Sequence, residues 1–216
     1  MTRFYVTGTD TGVGKTIACA CLATAWDADY WKPVQTGLAE KPGDIATIAA
    51  LTGLPADRLH APRYAFQAPL APVAAAALEE SEIDPASLTP PFSPRPLLIE
   101  GAGGGLMVPL DCSTLAIDML AVWRTPTIVV ARSSRGTINH TLLTVEALRH
   151  RRIPIAGVVM NGPLNAGNRA AIEKHGGVPV ILEIPELPKV TRSVIEELSH
   201  AVPPLGEIVS EAVAAA

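Results

Sequence analysis

Charge, aromatics and cysteine are all scarce in this 216-residue chain: 18% charged, 4% aromatic, three cysteines. Each scarcity excludes something. Little charge beside 48% apolar residues describes a chain with a large core to bury, not a disordered one. The net charge of −4, without a lysine-rich block, argues against nucleic acid as the main partner. Arg149, Arg151 and Arg152 form the one basic cluster, and their helical setting marks a solvated helix C-terminus. No apolar run reaches membrane length, so no membrane partner is expected. A strand-like run begins within the first few residues, where no signal peptide fits. Cys19, Cys21 and Cys112 lack metal-ligand spacing. Cys19 and Cys21, two apart on a predicted helix, read as small core residues, and a reducing, cytoplasmic location is expected.

What the chain has is the stretch Val6-Thr7-Gly8-Thr9-Asp10-Thr11-Gly12-Val13-Gly14-Lys15-Thr16. It follows the apolar run Phe4-Tyr5-Val6 and leads into residues 17–23, which contain no helix breaker. Strand, glycine-rich turn and helix are the context of a phosphate-binding loop. Backbone N–H groups of such a turn and of the helix start point into one concavity, and the helix dipole adds positive potential. Lys15 can reach outer phosphates, and the Thr16 hydroxyl suits Mg²⁺. The spacing is unusual. The common pattern puts its first glycine at position 9, which is Thr here, and the nearest glycine is Gly8.

The rest of the chain alternates strands and helices. Strands are predicted at residues 30–34, 97–100, 127–131, 155–160 and 178–182. Helices are predicted at 45–51, 73–82, 115–122, 138–150, 165–175, 190–200 and 205–216. Residues 55–72 read as a loop over the sheet end. Five prolines between 84 and 96 read as a connection within one domain spanning 1–216. Continuous apolar strands in β–α alternation predict one doubly wound, mainly parallel α/β sheet with helices on both faces, of the P-loop NTPase type. Ligands of such sheets sit at the C-terminal strand ends.

Those ends carry Lys15, Thr16, Lys32, Asp44 and Glu100, which are expected to converge. Two carboxylates and a hydroxyl suit Mg²⁺, and two lysines facing phosphates suit phosphoryl transfer. Asp44 fits a plain helix N-cap as well as a metal ligand. Lys32 fits a surface strand as well as the site. Glu100, closing an apolar strand before Gly101-Ala102-Gly103-Gly104, has little structural use unless it meets a cation.

Four motifs in register carry a resemblance: the loop from Gly8 to Thr16, Lys32-Pro33-Val34-Gln35-Thr36-Gly37, Glu100-Gly101-Ala102-Gly103-Gly104 and Ile138-Asn139-His140-Thr141. From the first strand to about Pro188 the chain resembles the dethiobiotin synthetases, in which the one-residue glycine shift is itself a feature. The resemblance implies an ATP- and Mg²⁺-dependent enzyme that closes 7,8-diaminopelargonic acid with CO₂, or bicarbonate as its source, to dethiobiotin. It implies Lys15, Lys32 and Thr11 as catalytic residues, and Thr16, Asp44 and Glu100 as Mg²⁺ ligands. Gly12, Val13, Gly14, Lys15 and Thr16 would hold the ATP phosphates, and Asn161, Pro185, Glu186 and Leu187 the base. Thr36, Gly103, Gly136, Thr137 and Asn139 would meet substrate, the last three from the partner subunit of a homodimer. Two departures stand out. Gly12 replaces a Glu found in some members, and Gly162-Pro163 rather than an acidic residue follows Asn161.

Two rival readings remain at this stage. A partitioning or metal-insertion switch on a similar fold often carries a further lysine near the loop's start, where this chain has Asp10. A non-catalytic ATP-sensing module would not need Lys15, Thr16, Lys32, Asp44 and Glu100 together.

Overall fold

The computed structural model describes residues 2–214. The phosphate-loop strand β1 (Arg3–Gly8) lies at the centre, followed by helix α1 (Lys15–Trp26). The chain then builds one wing with β2 (Asp29–Trp31), β3 (Val34–Gln35), α2 (Asp44–Thr52), β4 (Leu59–His60), β5 (Tyr64–Ala65), α3 (Pro72–Leu78) and β6 (Leu97–Glu100). The other wing follows: α4 (Ala116–Trp123), β7 (Thr127–Arg132), α5 (Thr137–His150), β8 (Ile155–Asn161), α6 (Ala166–Gly176), β9 (Val180–Ile184), α7 (Arg192–Ser199) and α8 (Leu205–Ala214). The main sheet has seven strands in the order β4-β2-β6-β1-β7-β8-β9, all parallel. The direction of strand addition reverses around β1, so the crevice of the switch point opens directly above the phosphate loop.

Side-chain alternation along the strands divides the core between the two faces. Phe4, Val6, Leu98, Ile128 and Val130 join α1, Ile48 of α2, Ile195 of α7 and Ile208 of α8. Tyr5, Leu97, Ile99, Val129 and Ala131 join the layer of α3, α4, α5 and α6. Helix α1 is buried nearly all round, which explains its run of Ala, Cys and Leu. Cys19 and Cys21 are buried as expected, and burial pushes the Cys21 thiol up to about 12; Cys112 is exposed. Trp26 stacks at a tilt on Phe4, with ring centroids 5.1 Å apart, and fixes the end of α1 to the sheet.

Several boundaries differ from expectation. The run at 30–34 is two strands. Pro33 has no N–H to continue the ladder, and its carbonyl instead accepts from the N–H groups of Arg63 and Tyr64. Val34–Gln35 therefore leaves the main sheet and pairs with Tyr64–Ala65 in a separate parallel ladder. Residues 55–72 are more than a loop, since they supply β4, the edge strand of the main sheet. That edge is clamped by Arg58, which donates to Asp27 and to the buried Asp29. The last strand runs two residues later than expected, because Pro179 cannot donate to the ladder and uses its carbonyl to accept from Val158. The third helix stops at Leu78 and does not reach residue 82. The expected helix at 205–216 is helical to Ala214, and residues 215 and 216 lie outside the described residues.

Candidate active site

The loop after β1 is shaped by glycines. At Gly8 an added Cβ would lie 2.9 Å from both the Asp10 carbonyl oxygen and Val13 Cγ2, so this shifted glycine is required by close approach. Gly14 adopts φ 94°, and an added Cβ there would sit 2.1 Å from Asn161 Nδ2. Helix α1 begins at Lys15 without a side-chain cap. Its first N–H groups are thus available to an anion, and the dipole favours one.

Beside the loop lies a cluster of buried charge. Lys32 and Glu100 are 7% and 1% exposed. Lys32 Nζ donates to Glu100 Oε1 at 2.9 Å and pairs with Asp44 Oδ2. Thr16 Oγ1 lies 3.0 Å from Glu100 Oε1 and 3.2 Å from Asp44 Oδ1. Strand alternation explains the convergence. Leu98 faces the α1 side, so Glu100, two residues on, faces it too, as does Tyr30 from the neighbouring strand, and Lys32 directly follows that strand's last residue. Asp44 is the first residue of α2 and not its N-cap, which is Gly43. The helix start is instead met by Gln35, whose Oε1 accepts from Asp44 N–H at 3.0 Å, leaving the Asp44 carboxylate for the cluster.

The electrostatics follow from burial and pairing. Burial alone would lower Lys32, but the carboxylates of Glu100 and Asp44 hold it above the usual lysine value. Burial would raise Asp44, but Lys32 and the Thr16 hydroxyl hold it below the usual carboxylate range. Burial lowers Lys15, against the pull of Glu100 and with the push of Lys32. Among the described residues no group of three or more His, Cys, Asp and Glu side chains gathers as a metal centre. The oxygen set here is two carboxylates and a hydroxyl, hard donors of the kind Mg²⁺ accepts when phosphate and water complete its shell.

These residues line a cavity of about 400 Å³, together with Thr11, Gly12, Gly14, Thr36 and Gly103. Three polar side chains to which sequence reasoning gave no role line it too: Gln35, Lys41 and Thr47. Across the loop a second cavity, of about 410 Å³, is bounded by Ile17, Arg132, Asn161 and the run Pro185, Glu186, Leu187. Asn161 Nδ2 donates to the Val13 carbonyl at 2.8 Å, tying the end of β8 to the phosphate loop. Arg132 donates to the Thr11 carbonyl at 3.0 Å from the end of β7, a contact with no signature in the sequence. Val13 itself is buried and serves the loop as a core anchor. Gly136, Thr137 and Asn139 are not brought to the charged cluster. They open α5 and line a separate cavity of about 530 Å³ that shares no residue with it.

Comparison with known proteins agrees with this geometry. Residues 2–194 match the AAA domain family. In fold the chain is similar to a ParA family ATPase from Chlorobium tepidum, with a TM-score of 0.53 at 16% identity over 98% of each chain. It is similarly close to the cell division ATPase MinD of Pyrococcus furiosus, with a TM-score of 0.52 at 16% identity over 93% of this chain and 98% of that one. Sequence relatives are nearer. The chain is 54% identical over 206 residues to the biotin biosynthesis bifunctional protein BioCD of Bordetella avium, covering 95% of this chain and 44% of that longer protein. It is 52% identical over 198 residues to the ATP-dependent dethiobiotin synthetase BioD of Paramagnetospirillum magneticum, covering 92% of this chain and 95% of the relative. The BioD of Agrobacterium fabrum is 46% identical over 195 residues, covering 90% and 91%. With the shifted loop glycine, the strand-end lysine and the strand-end glutamate all at one crevice, the chain belongs to the dethiobiotin synthetase family.

Proposed function

We propose that this protein is an ATP- and Mg²⁺-dependent dethiobiotin synthase working as one P-loop α/β domain. It closes the ureido ring of dethiobiotin from 7,8-diaminopelargonic acid and CO₂, releasing ADP and phosphate in biotin biosynthesis. The observation that carries this reading is the convergence of Lys15, Thr16, Lys32, Asp44 and Glu100 on one cavity at the switch point. One amine of the substrate captures CO₂ as a carbamate and loses a proton. The carbamate oxygen attacks the γ-phosphate, forming a carbamic–phosphoric anhydride as ADP leaves. The second amine then attacks the carbonyl carbon, closes the ring and expels phosphate. No enzyme-bound covalent intermediate is needed, so the protein's task is positioning and charge stabilisation.

Roles follow from position. Backbone N–H groups from Thr11 to Thr16 cradle the phosphates, and Lys15 and Lys32 stabilise the carbamate and the transferring phosphoryl group. Thr16, Asp44 and Glu100 would hold Mg²⁺, which when bound neutralises charge on the phosphate oxygens. Asn161 with Pro185, Glu186 and Leu187 flanks the base, while Thr36 and Gly103 meet the substrate. Gly136, Thr137 and Asn139 receive the substrate carboxylate at the start of α5. Since these three line a cavity apart from the charged cluster in one chain, the reading makes the protein a homodimer with its substrate site at the subunit interface. The buried thiols of Cys19 and Cys21 suit a reducing, cytoplasmic setting.

The test is phosphate release from ATP and Mg²⁺ in bicarbonate buffer, with and without 7,8-diaminopelargonic acid, with products identified by mass. Release that depends on the diamine and yields dethiobiotin is expected. ATP hydrolysis indifferent to the diamine would overturn the assignment.

A further inference from the structure

Glu100 has partners on both carboxylate oxygens, and the two oxygens have different partners. Oε1 meets Lys32 and Thr16 at the cavity wall, at 2.9 and 3.0 Å. Oε2 points back under the sheet's α1 layer, where the Tyr30 phenol donates to it at 2.9 Å. Tyr30 is fully buried among the apolar residues beneath α1, and its hydroxyl is held where the neighbouring strands align Tyr30 with Leu98.

We propose that Tyr30 is a positioning residue that fixes the plane of the Glu100 carboxylate, so that Oε1 is presented to Thr16 and to a divalent cation bound there. The last torsion of a glutamate is broad, so the side chain does not set its own carboxylate plane. A buried oxygen without a donor is costly, and a carboxylate that lost the Tyr30 donor would keep only the weak Cys19 thiol beside it on the core side, too little to hold its plane. Tyr30 therefore holds one oxygen in the core and keeps the other turned to the site. Outer partners of this kind typically change metal affinity or activity by about 10- to 100-fold when removed.

The inference rests on Glu100 being a cation ligand, and the two can fail separately. Mn²⁺ binding to the ADP complex, followed by electron paramagnetic resonance, is compared in wild type, Y30F, E100Q and the double variant. Y30F keeps the ring and removes only the hydroxyl. Both single variants are expected to weaken Mn²⁺ binding, Y30F by about 10-fold. The double variant is expected to bind no more weakly than E100Q alone. Unchanged binding in E100Q would remove Glu100 from the cation site. Weak binding in E100Q with normal binding in Y30F would overturn the role of Tyr30 alone, as would additive losses in the double variant. A second measurement leaves residue 30 intact. In protein carrying 3-fluorotyrosine, the ¹⁹F signal of Tyr30 is assigned by elimination through Tyr5→Phe and Tyr64→Phe. It is expected to move when Mg²⁺ joins the ADP complex of wild type and to stay fixed in E100Q; a signal indifferent to Mg²⁺ in wild type would contradict the proposal.

Discussion

On the β2–β6 side of the phosphate loop the crevice is lined by buried, mutually paired charge, whereas on the β7–β9 side it is lined by half-buried neutral groups and by the exposed charges of Arg132 and Glu186. Lys32 pairs with both Asp44 and Glu100, because unpaired charges could not remain so deeply buried. Across the loop, Asn161, Pro185 and Leu187 are only half-buried, and side-chain hydrogen bonds from Asn161 to the Val13 carbonyl and from Arg132 to the Thr11 carbonyl tie that half to the loop. The charged half is assembled in advance and holds its members interdependent. The β7–β9 half consists of contacts each worth about 1 kcal/mol, which are separable. Substitutions in the first should therefore damage catalysis and stability together, and those in the second should damage nucleotide affinity alone.

The largest effect is expected at Lys32. Lys32→Met leaves Asp44 and Glu100 facing each other without their shared cation. Turnover should fall by about a thousand-fold or more, and the nucleotide-free protein should lose about 3–5 kcal/mol in urea unfolding. Lost turnover at unchanged stability would break the link between chemistry and preassembly. Next comes Gly14→Ala, at the wall between the halves. Its Cβ would meet Asn161 Nδ2 at 2.1 Å in a left-handed backbone conformation. Nucleotide binding measured by calorimetry should weaken by about 100-fold.

Asn161→Ala sharpens the contrast from the other side. Loss of one hydrogen bond should raise the KM for ATP by about 10-fold and leave kcat near wild type. A fall in kcat to match would mean that the β7–β9 half shares in the chemistry. The smallest effect is in acid. Asp44 titrates below its ordinary range in the folded protein, so the unfolded chain takes up its proton at higher pH than the native one. Its contribution is present above the ordinary aspartate range and is lost as pH falls through the lower native value. Melting temperature should therefore fall with pH in that acid window, and the slope should be shallower in Asp44→Asn.

The same contrast decides what could be read from the sequence. The charged half was legible because charge at the end of an apolar strand has few other uses. Glu100 after Leu97-Leu98-Ile99 announces itself, and Lys15-Thr16 is fixed by the loop. Their convergence was legible too, because in such a sheet the C-terminal strand ends meet at one ligand site. Tyr30 was not, because a tyrosine in a strand looks like core until its hydroxyl is seen on Glu100. Asp44 read equally well as an N-cap, since the Gln35 side chain that meets the helix start comes from another segment. The order of parallel strands was legible only as a class. The two-residue strands β3, β4 and β5 fell below the length at which periodicity speaks. The residues proposed to flank the base were reached through family resemblance, as neither Asn161 nor Pro185-Glu186-Leu187 carries chemistry that identifies it alone.

The most direct test of the central claim, that ATP activates a carbamate of the diamine, follows oxygen. Turnover is started with ¹⁸O-labelled CO₂ under conditions of slow exchange with water, and the released phosphate is examined by mass. Attack by the carbamate oxygen on the γ-phosphate predicts one labelled oxygen carried from CO₂ into inorganic phosphate. Phosphate without label from CO₂, formed alongside dethiobiotin, would contradict the mixed anhydride and with it the placing of Lys15 and Lys32 around that step.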